Sequence, residues 1–187
     1  MHDLAAELPY TPLFCEENIW FLANRLLDEG MQIERMYVLL FSNPAQSIIL
    51  LQQKAARQMP FIVWDYHVVL QAHHEQTDWI YDFDSRLAFP SPLARYFALT
   101  FPEQQCLPGR YHTQIRQIPA MEYLERFYSD RSHMLGKIPQ DQFPAYPSIT
   151  PDPTCRPLTL DDYRDVQRPL DGNSRIFDLE AYMYGWM

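Results

Sequence analysis

The sequence predicts an α+β fold in which an antiparallel sheet packs against an N-terminal helix. One amphipathic run near the start carries apolar residues at helical spacing. Four strand-like runs follow, separated by gaps too short for parallel crossover connections. Apolar residues make up 47% of 187 positions, enough to bury a sizeable core within one domain spanning 1–187.

The elements read in order as follows. Residues 1–14, with Pro9 and Pro12, form an extended lead-in. From Glu16, Ile19, Trp20, Ala23, Leu26 and Leu27 recur at three- and four-residue spacing, and Gly30 ends a helix of about four turns. Glu16 and Glu17 occupy its first turn, where negative side chains suit the helix dipole. Strands are expected over Met36–Ser42, Ser47–Gln53, Phe61–Gln71 and Trp79–Asp84, punctuated by Asn43-Pro44 and Met59-Pro60. Pro119–Tyr128 reads as a second helix with proline in its first turn. Pro139–Pro157 holds six prolines and reads as a long irregular connection, packed over the body through Phe143 and Tyr146. A short helix around Leu160–Val166 and an aromatic segment, Ile176–Trp186, complete the chain.

Composition narrows the function. A net charge of −9 argues against nucleic acid as a partner, because phosphate binding needs a basic surface. The same negative field favours cationic ligands, a free α-ammonium group among them. No apolar run approaches the eighteen or more residues of a membrane span. Met1-His2-Asp3-Leu4 is acidic rather than basic and lacks a signal-peptide core, so the cytoplasm is the default location. Cys15, Cys106 and Cys155 are too few and too scattered for a disulfide scaffold, and no Cys-x-x-Cys pair suggests zinc.

Chemistry concentrates in Trp64-Asp65-Tyr66-His67-Val68. An Asp and a His inside an apolar strand-like run ask for partners, since unpartnered buried polar groups cost ~1–3 kcal/mol. A hairpin centred between His74 and Glu75 sets His67 opposite Asp82, with Cβ atoms about 4.5–5.5 Å apart. Asp82 would then accept the Nδ1 proton of His67 and stabilise the imidazolium. A one-residue slip would throw Asp82 to the other face. Asp84, opposite Asp65, is the rival for that role. Cys15 stands at a helix N-terminus, where backbone N–H groups and a nearby imidazolium lower a thiol pKa and first-turn amides serve as oxyanion donors. Cys15, His67 and Asp82 together suggest a thiol hydrolase, arranged as in papain-like and transglutaminase-like folds. Singly, each residue has an ordinary structural reading, and it is their joint occurrence that carries weight.

Three blocks, Phe14-Cys15-Glu16-Glu17-Asn18-Ile19-Trp20, Trp64-Asp65-Tyr66-His67-Val68-Val69-Leu70 and Ile80-Tyr81-Asp82-Phe83-Asp84, resemble the protein N-terminal glutamine amidohydrolase family. Ser129-Asp130-Arg131-Ser132-His133-Met134 looks like a further family block. The resemblance runs from about Phe14 to Met134 and loosens in the Pro-rich stretch. It implies an α/β fold related to the papain and transglutaminase group. It implies a catalytic triad falling on Cys15, His67 and Asp82, and conversion of an N-terminal Gln of a protein or peptide to Glu with release of ammonia. In eukaryotes that product is a signal for N-end-rule degradation. No metal or organic cofactor is required by this chemistry, and a one-domain hydrolase with a small pocket works as a monomer.

Recognition of a terminal Gln needs an acceptor for its α-ammonium. Glu16, Glu17 and Asp65 are the acids nearest the triad in sequence. Alternation along the strand turns Trp64, Tyr66 and Val68 away from His67, into packing. Asp130, Arg131 and His133 suggest a polar network beside the site. Competing readings keep the thiol but change the substrate (internal glutamine deamidase, protease or transglutaminase), place a metal among His67, His73, His74, His112 and His133, or make the chain a non-catalytic binding module. His73-His74-Glu75 reads better as an exposed hairpin tip.

Overall fold

The computed structural model describes residues 7–185; Met1-His2-Asp3-Leu4 and Trp186 lie outside that range. Helix α1 spans Cys15–Asp28, with Cys15, Ile19, Leu22, Ala23 and Leu26 on its buried face. Gly30 follows at φ 92°, a left-handed position where glycine lacks the steric penalty of a side chain. Asn18 fixes the lead-in ahead of the helix by accepting from the Thr11 amide and donating to the Thr11 carbonyl.

The strands are β1 (Met36–Ser42), β2 (Ile48–Leu51), β3 (Phe61–Trp64), β4 (His67–His74), β5 (Thr77–Tyr81) and β6 (Ser91–Pro92). After helix α2 (Leu93–Thr100) come β7 (Gln114–Pro119), helix α3 (Ala120–Arg126) and β8 (Phe127–Tyr128). The chain closes with β9 (Leu158–Thr159), α4 (Leu160–Arg164), β10 (Arg175–Asp178) and α5 (Leu179–Tyr184). The main sheet is six-stranded in the order β10-β7-β1-β4-β5-β6, and every pairing in it is antiparallel. Two buried clusters lie on its faces. One joins Ile19, Leu22 and Leu26 of α1 to Val38, Leu40, Val68 and Leu70. The other joins Leu39, Phe41, Val69 and Ile80 to Tyr96 and Phe97 of α2 and Tyr182 of α5.

The expected α+β architecture, a mixed fold with an antiparallel sheet, is present; several boundaries differ for identifiable reasons. The expected single strand over Phe61–Gln71 is two. β3 pairs with β2 in a separate two-stranded sheet, while β4 lies between β1 and β5. The chain steps between the sheets at Asp65-Tyr66. There the Asp65 side chain accepts from the Tyr66 amide at 3.2 Å, and Ser42 Oγ donates to the Asp65 carbonyl at 3.0 Å. The expected strand Trp79–Asp84 ends at Tyr81, because Asp82 accepts the Asp84 amide on its own side chain at 2.9 Å and turns the chain. The Pro119 helix stops at Arg126, and Phe127-Tyr128 pairs instead with Leu158-Thr159.

The β4–β5 hairpin is centred one position later than expected. His74 faces Thr77 across a two-residue turn, with Glu75 at φ 51° and Gln76 at φ 61°, the left-handed pair of a type I′ turn. Cross-strand partners therefore move by two residues, which preserves the face each side chain occupies. Pro139–Pro157 is irregular apart from one 3₁₀ turn. It does cover the body, through Phe143 against Phe14 and Tyr146 against Phe21. No helix among the described residues is long and apolar enough to cross a membrane.

Candidate active site

Cys15 is the first residue of α1 and 9% exposed. The preceding turn is strained, with Leu13 at φ 70°, a left-handed conformation uncommon for a non-glycine residue. His67 opens β4 and is 2% exposed. Its Nε2 meets Asp82 Oδ1 at 3.0 Å. The nitrogen in contact is thus Nε2 rather than the expected Nδ1. Asp82 sits past the end of β5, not directly across the ladder, and meets the distal side of the ring. With Nε2–H donating, Nδ1 is left as the nitrogen not engaged by Asp82.

Asp82 is fully supplied with donors. Gln53 Nε2 at 3.0 Å and Tyr96 OH at 2.8 Å both reach Oδ2, while His67 and the Asp84 amide reach Oδ1. Burial alone would raise its pKa, but His67, Gln53 and Tyr96 outweigh that and hold it below the usual carboxylate range. Burial works against the His67 imidazolium too. Asp82 overrides it, and the imidazole pKa rises.

Cys15 and His67 open on one cavity of about 420 Å³, walled also by Tyr10, Pro12, Leu13, Trp64, Asp65, Tyr66, Asp84 and His133. Tyr66 faces this space together with His67, contrary to strict strand alternation, because the step at Asp65-Tyr66 breaks the pleat. Burial pushes the Cys15 thiol well up, and Glu16, Asp84 and Asp82 add to it, while the Val68 backbone N–H pulls the other way. The direction is opposite to that expected from the helix terminus alone; desolvation and three carboxyl groups outweigh the Val68 N–H.

The expected substrate-binding acids occupy three different settings. Glu16 lies behind the thiol, not in the cavity wall. Its Oε2 accepts from Tyr66 OH at 2.9 Å and from Cys15 Sγ at 3.6 Å, and Oε1 has no hydrogen-bond partner. His133 Nε2 lies 3.4 Å from that Oε1. Burial raises the Glu16 carboxyl to about 8. Glu17 also stays out of the wall: Arg131 grips both its oxygens, at 2.8 and 2.9 Å, and Ser129 Oγ donates to Oε1. Asp65 does line the cavity, with Arg164 3.6 Å from its Oδ2.

Of the residues weighed as metal ligands, His73 pairs with Asp78 at 3.3 Å and His74 stacks on Trp79 at the hairpin. His67, Asp82 and Asp84 do bring ligand atoms within 4.8 Å of one another, but His67 Nε2 and Asp82 Oδ1 are spent on each other. Cys106 is exposed and Cys155 half-buried, each a free thiol outside the cavity lining. Gln53 and Tyr96 escaped sequence reasoning. Gln53 carried a usable signal, a polar residue closing an apolar run, of the same kind that drew attention to His67.

The fold and site define a mixed α/β protein whose cavity brings together a helix-borne thiol and a strand-borne imidazole, the imidazole backed by a buried carboxylate. More particularly, the chain belongs to the N-terminal glutamine amidase family, whose model matches residues 10–183. It is similar to the protein N-terminal glutamine amidohydrolase of Danio rerio, 33% identical over 93% of this chain and 87% of that protein. The Arabidopsis thaliana protein of the same name is 32% identical over 84% and 72% of the two chains. The Bos taurus one is 30% identical over 94% and 85%.

Proposed function

We propose that this chain hydrolyses the side-chain amide of an N-terminal glutamine in proteins or peptides to glutamate, releasing ammonia. Family membership supports the reaction. The single observation that supports the mechanism is the convergence of Cys15 and the Asp82-held His67 on one cavity.

In this reading the Cys15 thiol gives its proton to His67 Nδ1 and attacks the amide carbon. Backbone N–H groups, Val68 and the first turn of α1 among them, stabilise the oxyanion. His67 as imidazolium then protonates the departing ammonia, leaving an acyl-thiol intermediate. As neutral base it next activates water, which cleaves the thioester and frees the peptide, now beginning with glutamate. Asp82 holds the Nε2 proton throughout, fixing the tautomer. The raised thiol pKa favours proton transfer coupled to attack over a standing thiolate. The chemistry calls on no cofactor, and a monomer in the cytoplasm suffices for it.

Peptides beginning with Gln, acetyl-Gln, Asn or Gly-Gln, followed by ammonia release and product mass, test the reading. Turnover confined to free N-terminal Gln is expected. Equal turnover of acetyl-Gln would sink it in favour of an internal glutamine deamidase or transglutaminase; backbone cleavage would point to a protease.

A further inference from the structure

We propose that Asp84 anchors the free α-ammonium group of the substrate, an assignment that rests on the amidohydrolase reading above. A glutamine whose amide carbon sits at Cys15 carries its α-nitrogen at most about 5 Å from that carbon, four bonds of ~1.5 Å away. The anchor must therefore stand in the same cavity wall as the thiol and the imidazole. Among the acids considered, Glu16 and Glu17 fail this condition, and Asp65 and Asp84 meet it.

Charge separates these two. Asp65 already has the Arg164 guanidinium 3.6 Å away and spends Oδ1 on the Tyr66 amide. Asp84 makes no ion pair with a lysine or arginine among the described residues; its side-chain partner is the Tyr10 hydroxyl, 2.6 Å from Oδ1. One Asp84 oxygen lies within 4.8 Å of both a His67 ring nitrogen and an Asp82 oxygen. His67 is shared with Asp82, and Lys54, in the same wall, spends its Nζ on the Phe83 carbonyl at 2.7 Å without pairing to the Asp84 carboxylate. An ammonium group entering there gives Asp84 the direct cationic partner it lacks, and the Tyr10 hydroxyl orients the carboxylate.

The test pairs a Gln peptide with its 4-carbamoylbutanoyl counterpart, which keeps the side chain and peptide bond but lacks the α-amine. A charge-assisted hydrogen bond predicts that the unaltered chain prefers the amine by roughly 10–100-fold in kcat/KM. D84N should bring that preference close to unity, chiefly by raising KM for the Gln peptide, while whatever follows from removing a charge near Cys15 and His67 falls on both peptides alike. Should D84N not fold, D84E, which keeps the charge one methylene further out, should raise KM for the Gln peptide alone. Equal use of both peptides by the unaltered chain, equal loss on both in D84N, or collapse of the preference in D65N instead would each overturn the assignment. Failure of the unaltered chain to release ammonia from the Gln peptide would instead overturn the amidohydrolase reading beneath it, an outcome no variant arm imitates.

Discussion

Two buried carboxyl groups flank the Cys15 side of the cavity, and the fold treats them oppositely. Asp82 has four donors on its two oxygens and is held below the usual carboxylate range. Glu16 is as deeply buried, yet its Oε2 has the Tyr66 hydroxyl and a weak thiol donor, and its Oε1 has no hydrogen bond, only His133 Nε2 at 3.4 Å; these and a backbone N–H do not offset its burial. Its carboxyl is raised to about 8. Burial alone therefore does not fix the charge of an acid; the number and kind of donors brought to it do. The consequence is a site with a charged corner that steadies His67 and a proton-holding corner behind the thiol.

The two corners share Cys15, so removing its sulfur should produce the largest effect. C15A is expected to lower ammonia release by roughly 10⁴-fold or more, as loss of a nucleophile generally does. A melting temperature within a few degrees of the unaltered chain would show that the loss is chemical. Full activity in a folded C15A would eliminate the thiol mechanism. Breaking the charged corner comes next. D82N keeps the shape but removes the charge opposing His67, and kcat should fall by ~10³–10⁴-fold with little change in KM. A loss confined to KM would show that Asp82 serves substrate binding rather than the imidazole.

The contrast between the corners also marks what a sequence discloses. Helix α1 and the pairing of His67 with Asp82 were legible because they depend on local periodicity and on one short hairpin. The hairpin centre was misplaced by one position, but partners shift in twos, so the face was kept. Gln53 and Tyr96 were not legible as Asp82 donors, since one comes from the end of a run in another sheet and the other from α2, a helix of eight residues. The break at Asp65-Tyr66 was hidden for a similar reason. It depends on Ser42, far back in β1, donating to the Asp65 carbonyl, while Phe61–Gln71 reads as one continuous strand. Strand β7 and the burial of Arg116 against the Tyr163, Asp165 and Arg168 carbonyls likewise arise from contacts between segments far apart in sequence, 47 to 52 residues for Arg116.

Glu17 offers an intermediate case between the corners, a buried acid held by a single cation and the Ser129 hydroxyl. Arg131 is 12% exposed and Glu17 0% in their side chains. R131M should destabilise the fold by ~3–5 kcal/mol in denaturant titration, because it strands a buried carboxyl group. Combining it with E17Q should recover a large part of that loss. If the double variant is no more stable than R131M alone, the cost lies in the Arg131 contacts to the Pro144 and Tyr146 carbonyls, not in the pair.

Converting Glu16 to a neutral isostere should have the smallest effect and one dependent on pH. The unfolded carboxyl titrates near its ordinary value of 4.5, whereas in the folded chain burial raises it to about 8. Between those values the folded state binds the proton more tightly than the unfolded state, so this group's contribution to stability falls as pH rises from about 4.5 to about 8. Beyond that range it is flat. Gln cannot titrate, so E16Q removes the slope. The stability of E16Q relative to the unaltered chain should therefore grow by roughly 2 kcal/mol or more between mildly acidic and mildly alkaline solution. Taking the difference between two pH values cancels whatever the substitution costs in packing. An unchanging difference across that range would mean that Glu16 ionises alike in both states, and the distinction between the two corners would disappear.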